Sequence, residues 1–140
     1  MDSSFKLKHI EIIKRNNSVK MIELYESELI QVILNILKNA QDNLLEKKIQ
    51  NPQIIISCED TPTGVDIHIY DNGGGIADDI IEHIFDPYFS TKDAKNGTGL
   101  GLYMSKMIIE EHYFGSLAVT NTNQGACFNI SLKESLYELP

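Results

Sequence analysis

The sequence predicts an α+β fold: a two-layer α/β sandwich whose mixed, mostly antiparallel sheet is covered on one face by helices. Three observations lead there. The elements fall in the order β β α β β α α β β. No regular alternation of strand and helix builds βαβ crossovers, so the strands read as antiparallel or mixed. One long helical segment carries its apolar residues in a single stripe, as a helix lying against a sheet does.

Each element has its own signature. Residues 5–14 (FKLKHIEIIK) alternate apolar and polar and read as a strand. Residues 16–18 (NNS) read as a turn and 19–25 (VKMIELY) as a second strand, making a hairpin. From Glu26 to about Lys48, Leu29, Val32, Ile33, Ile36, Leu37, Ala40 and Leu44 recur at helical spacing, with Ser27 as N-cap. Residues 52–60 and 64–71 are strands joined by the turn TPTG. Three glycines follow, then a short helix over about 78–84 with Asp78 as its cap. Residues 85–99 read as irregular and mobile. A helix over about 100–112 and a hairpin over 115–132 close the chain.

The 140 residues make one domain, with a core over 5–133. Apolar runs are too short to span a membrane, and there is no signal-like leader. The chain opens directly in strand-like material, as a segment of a longer protein would. A net charge of −8 argues against nucleic acid as a partner, because the phosphate backbone would be repelled. Cys58 and Cys127 lie far apart in strand-like runs and read as buried free thiols. His9, His68, His83 and His112 form no metal-ligand spacing and read as structural or surface residues.

The stretch DNGGGI (residues 71–76) admits several readings. Asp-Asn-Gly is a hairpin signal, but no returning strand follows. A dinucleotide fingerprint lacks its third glycine, and Asp78 adds a charge hostile to pyrophosphate. No Lys-Ser or Lys-Thr follows a glycine to make a P-loop. What remains is an acid, Asp71, at a strand end beside glycines that let a ligand approach the backbone. An ionised carboxylate only accepts hydrogen bonds, so its ligand is a donor such as an exocyclic amine. Adenine offers one; phosphate does not. A second box, NGTGLGLYMSK, puts Gly97, Gly99 and Gly101 before a helix, where backbone N–H groups suit phosphate. The long helix sets Asn35, Asn39 and Asp42 on one face, extended by Gln31 and Glu46. A merely solvated face would be richer in Lys and Glu, and an asparagine oxygen is a neutral, hard ligand for Mg2+.

In this order, these elements resemble the catalytic ATP-binding domain of bacterial sensor histidine kinases, a branch of the Bergerat-fold ATPases. LNILKNAQD is similar to the N box, DNGGGI to the first glycine box, IFDPYFSTK to the F box and GTGLGLYMSKMIIEEH to the second glycine box. The short lid and FDPYFSTK look most like the nitrogen-regulatory and sporulation-kinase branch. The resemblance implies a kinase domain that binds ATP and Mg2+ and serves a histidine in a separate dimerisation and phosphoacceptor helical domain, with a response regulator downstream. It implies that Asn39 coordinates Mg2+, that Asn35 supports the phosphate end, and that Asp42 and Asn43 line the site near ribose and phosphate. Asp71 accepts the adenine amine; Gly73 and Gly75 let the base lie against the chain, walled by Ile76 and Ile80. Phe85 and Phe89 anchor a lid, and Lys92, more than Lys95, neutralises the γ-phosphate. Gly97, Gly99, Leu100 and Gly101 offer N–H groups to the phosphates, with Thr98 and Leu102 in the same binding run. Hydrolytic branches carry Glu where this chain has Asn35, so slow intrinsic hydrolysis is expected.

The chain departs from the family in several places. It lacks a phosphoacceptor motif, has Ala126 where Thr is common, and carries one glycine in HYFG. A monomeric, cytoplasmic domain is expected. The alternatives are a stand-alone anti-sigma-factor-type serine kinase of the same fold and a non-catalytic nucleotide-sensing module.

Overall fold

A computed structural model describes residues 10–17, 26–89 and 101–133. Within them, five strands form one sheet: β1 (Glu11–Asn17), β2 (Gln53–Asp60), β3 (Gly64–Asp71), β4 (Ser116–Asn121) and β5 (Ala126–Lys133). Their spatial order is β1-β2-β3-β5-β4. β1 runs parallel to β2 and every other pair is antiparallel. The predicted mixed, mostly antiparallel sheet is therefore present.

The helices lie on one face. They are α1 (Glu26–Glu46), α2 (Asp78–Ile81) and α3 (Gly101–Met107), the last running on into a π turn over Ile108–His112. The predicted stripe of α1 is buried: Val32, Ile36, Leu37, Ala40 and Leu44 pack with Ile54, Ile67, Ile69, Phe128 and Ile130 of the sheet. Each large side chain buried in this way contributes about 1.5–3 kcal/mol. Ile109 and Tyr113, after α3, close the far side of the core. Because strand residues alternate, Ile55, Ser57, His68 and Tyr70 point to the opposite face.

Several boundaries differ from the sequence reading. Asn16 and Asn17 belong to β1, paired in register with Cys58 and Glu59; ladder pairing overrides their turn preference. Residues 5–9, the second hairpin strand 19–25 and the Ser27 side chain lie outside the described residues. β1 and β2 flank α1 in sequence and run parallel, so one crossover does exist. The short helix ends at Ile81 and is preceded by Ala77, not Asp78, at its cap. The last helix widens into its π turn after Met107.

The end of α1 has a specific geometry. Lys48 is left-handed at φ 52°, Ile49 N–H donates to Leu44 O at 3.1 Å, and Lys48 N–H donates to Leu45 O at 3.2 Å. This is a Schellman stop with lysine where glycine is usual. It leaves Lys47 directly after the last residue of the helix, next to the loop after β3.

Candidate functional site

Asp71 ends β3 and is 7% exposed. Its Oδ1 accepts the Gly73 N–H at 2.9 Å. Burial pushes its carboxyl above the ordinary 3.8, while the amides of Gly73 and Ala126 and the Lys47 ammonium pull the other way. The turn that follows is shaped by contacts a side chain would destroy. A Cβ on Gly73 would stand 2.5 Å from Asn43 Nδ2. Gly74 and Gly75 have φ of 83° and 87°, which other residues rarely adopt.

Three outside groups hold this turn. Gln124 O accepts the Gly74 N–H at 3.0 Å. The Asn121 amide grips Ile76 twice, accepting its N–H and donating to its carbonyl, both at 2.8 Å. Lys47 Nζ donates to Gly73 O at 2.7 Å and Gly75 O at 2.9 Å. Ile76 and Ile80 are half-buried beside it.

The polar face of α1 runs from this turn to α3. Asn43 meets Gly73 at one end. Asn35 sits two turns away, about 12 Å along the axis. Its Oδ1 accepts from Gln31 at 3.0 Å and its Nδ2 donates to Ser105 Oγ at 3.2 Å. Ser105, fully buried, donates in turn to Gly101 O at 2.8 Å. Asn35 is thus tied to the first turn of α3, where Gly101 and Leu102 lie. Asn39 is half-buried midway, and Asp42 pairs with Lys38 at 2.9 Å.

The first part of the F box is anchored in the core. Phe85 stacks edge-on against Phe128 at 6.2 Å, under Lys106 Nζ at 5.1 Å from the ring centre. Phe89 packs near His83 at 6.0 Å. Lys92, Lys95, Gly97, Thr98, Gly99 and Leu100 lie outside the described residues. So Asn35, Asn39, Asp42, Asn43, Asp71, Gly73, Gly75, Ile76, Ile80, Gly101 and Leu102 are distributed along α1 and the two segments it touches.

Sequence reasoning missed Lys47, Asn121 and Ser105. Lys47 carried a signal: Gln31, Asn35, Asn39, Asn43 and Lys47 repeat every four residues along one face. Asn121 carried none, since it reaches Ile76 only through the sheet.

The remaining polar groups fit structural roles. His68, His83 and His112 pair with Glu59, Asp86 and Glu28. Burial pushes both free thiols, Cys58 and Cys127, up and so disfavours the nucleophilic thiolate. Among the described residues no three His, Cys, Asp or Glu side chains gather as a metal cluster, and no helix is long and apolar enough to cross a membrane. A cavity of about 420 Å³ on the open face of the sheet, beside Arg15, Gln53 and Tyr70, is lined by Asp71 but by none of the motif glycines or α1 asparagines.

This combination of α1 asparagines, strand-end acid and glycine turn is that of an ATPase-type domain. The family model of histidine kinase-, DNA gyrase B- and HSP90-like ATPases matches residues 25–136, and the chain belongs to this family. Within it, the chain stands close to the catalytic domains of sensor histidine kinases. It is 40% identical over 111 residues to the two-component sensor PprA of Pseudomonas aeruginosa, covering 75% of this chain and 12% of PprA. It is 38% identical over 120 residues to the sensor histidine kinase ZraS of Salmonella typhimurium, covering 84% of this chain and 24% of ZraS. The chain therefore spans a quarter or less of these relatives. The solved catalytic domain of histidine kinase ThkA superposes with a TM-score of 0.81 at 28% identity, covering 95% of this chain and 84% of that one. ThkA solved in complex with the response regulator TrrA shares the fold, with a TM-score of 0.78 at 24% identity over 98% of this chain and 38% of that one.

Proposed function

We propose that this chain is the single ATP-binding kinase domain of a sensor histidine kinase. It binds Mg-ATP and presents the γ-phosphate to a histidine of a separate dimerisation and phosphoacceptor domain, with a response regulator downstream. The observation that carries the reading is the reach of α1: Asn43 meets the turn beside Asp71, and Asn35 meets Ser105 of α3, which binds the Gly101 carbonyl at that helix's start. One helix face thus runs from an acid suited to a purine amine to a helix start suited to phosphates.

In this reading Asp71 accepts from the adenine amine, and Ile76 and Ile80 wall the base. Asp42 and Asn43 line the middle of the site. Asn39 is the ligand for Mg2+; a neutral amide oxygen fits a hard cation that draws its other ligands from water and phosphate. Bound there, Mg2+ would offset phosphate charge. The Asn35 amide is engaged by Gln31 and Ser105, and an amide is no general base. Intrinsic hydrolysis is therefore slow, and positioning for an incoming nucleophile dominates. A monomeric domain on the cytoplasmic side completes the proposal. Similarity to PprA and ZraS favours it over a stand-alone serine kinase.

Labelled ATP and a purified phosphoacceptor domain test it. The expected product is acid-labile phosphate on histidine. Acid-stable phosphate on serine would select the serine kinase, and no calorimetric heat with Mg-ATP would select neither kinase. Asp71→Asn removes a charged acceptor and should weaken ATP roughly 10- to 100-fold while leaving bare tripolyphosphate unaffected.

A further inference from the structure

Among the described residues, the turn over residues 73–76 is the part of the site with least regular structure, yet it is fastened from two sides. Lys47 reaches it from the end of α1 and donates to both Gly73 O and Gly75 O. Asn121 reaches it from the end of β4 and takes both polar groups of Ile76. Neither lies in a motif that carried the family resemblance. Both act on backbone groups, so they restrain the path of the chain rather than any one side chain. The two left-handed glycines between them give that path its shape and would otherwise leave it loose.

We propose that Lys47 and Asn121 form a clamp that positions the purine-side turn, and that Lys47 sets its preference for a purine with an amine rather than a carbonyl at C6. The proposal rests on the ATP-site reading above.

The preference follows from charge. An ionised Asp71 can only accept and so selects an amine; a protonated one can donate and would accommodate the carbonyl that guanine carries instead. Among the described residues, the titratable groups that act on Asp71 are Lys47 from the end of α1 and Cys127 from β5, and Arg15 from β1 lines the same open-face cavity. Burial keeps the Cys127 thiol neutral, so the lysine is the charge that favours the carboxylate. Lys47 thereby links the shape of the turn to its chemistry: one ammonium holds the glycine carbonyls and supports the anion beside them.

The test is nucleotide binding by the 140-residue chain and its variants Lys47→Met, Lys47→Arg and Asn121→Ala, from pH 5 to 8. ATP, GTP and inorganic tripolyphosphate serve as probes. Lys47→Met should weaken ATP about tenfold at neutral pH and leave tripolyphosphate unchanged. The pH at which ATP affinity falls should move upward, and the ATP-over-GTP ratio should narrow from that same pH down. Lys47→Arg should restore both the affinity and the midpoint. Asn121→Ala should weaken ATP with the midpoint unmoved. A Lys47→Met protein that melts like the wild type, binds ATP as tightly and keeps its midpoint overturns the clamp. A variant that loses ATP and tripolyphosphate alike also overturns it, because a local device cannot act on both ends. If Asp71→Asn too leaves ATP unaffected, the ATP-site reading itself falls.

Discussion

The acid end of the site and its amide end are held together by different bonds. At Asp71 the groups fastened are backbone: the amides of Gly73 and Ala126 on the carboxylate, Gly74 against Gln124, the turn's carbonyls and the Ile76 amide under Lys47 and Asn121, and Gly73, Gly75 and Gly125, whose missing Cβ positions are filled by neighbours. At Asn35 it is a relay of side chains, Gln31 to Asn35 to Ser105, ending on one carbonyl. A backbone fastening has no slack, because a misfit cannot be relieved by a rotamer change. A side-chain relay can lose a member and keep the helices that carry it. The acid end should therefore break through structure, and the amide end through local function.

Gly125→Ala gives the largest expected effect. Its Cβ would lie 2.0 Å from the Asp71 carbonyl oxygen and 2.8 Å from Oδ1. Both belong to a residue pinned in the sheet, so β3 and the β4–β5 turn must separate. A loss of about 3 kcal/mol is expected, read as a lower urea midpoint together with loss of ATP binding. A stable Gly125→Ala protein with normal affinity would show that the acid end has the slack denied to it here.

Ser105→Ala tests the other end and should do less. It removes the acceptor of Asn35 and the donor to Gly101 O. The cost is about 1–2 kcal/mol, because the Asn35 amide is only half-buried and can turn to water. Adenosine binding should be unchanged, while the extra affinity supplied by the triphosphate falls. Equal loss for adenosine and ATP would mean that the two ends are one cooperative unit.

The same contrast explains what could be read from the sequence. The sheet and the α1 stripe were legible because a period of two and a period near four are written in neighbouring residues, such as Ile67 with Ile69 and Val32 with Ile36. The acid end was legible from its glycines, since each marks a place where backbone or ligand comes close. Asn16 and Asn17 were misread as a turn because pairing with β2 depends on residues some forty positions away. Asn121 and Ser105 were invisible for the same reason: each acts across a gap in sequence that no local pattern records. Lys47 was readable on its four-residue repeat, but the helix end that aims it uses Lys48 in place of the glycine that marks such a stop.

The smallest effect concerns protons, and it separates the two ends without any ligand. Burial sets the carboxyl of Asp71 above its ordinary 3.8 in the folded chain. The folded state therefore keeps that proton to a higher pH than the unfolded state. The stability gained by protonation is complete below 3.8 and is lost as pH rises through the folded value. On acidification from pH 7 the wild type recovers this contribution; Asp71→Asn has no proton to gain. The melting temperature of the wild type relative to Asp71→Asn should thus rise as pH falls, then level off below 3.8. Other carboxylates titrate in both proteins and cancel in the difference. A difference that stays flat from pH 7 to 3 would mean that the amides of Gly73 and Ala126 and the Lys47 charge fully offset burial. A difference that shrinks would mean that they outweigh it, and the acid would then be held by its partners more firmly than burial opposes it.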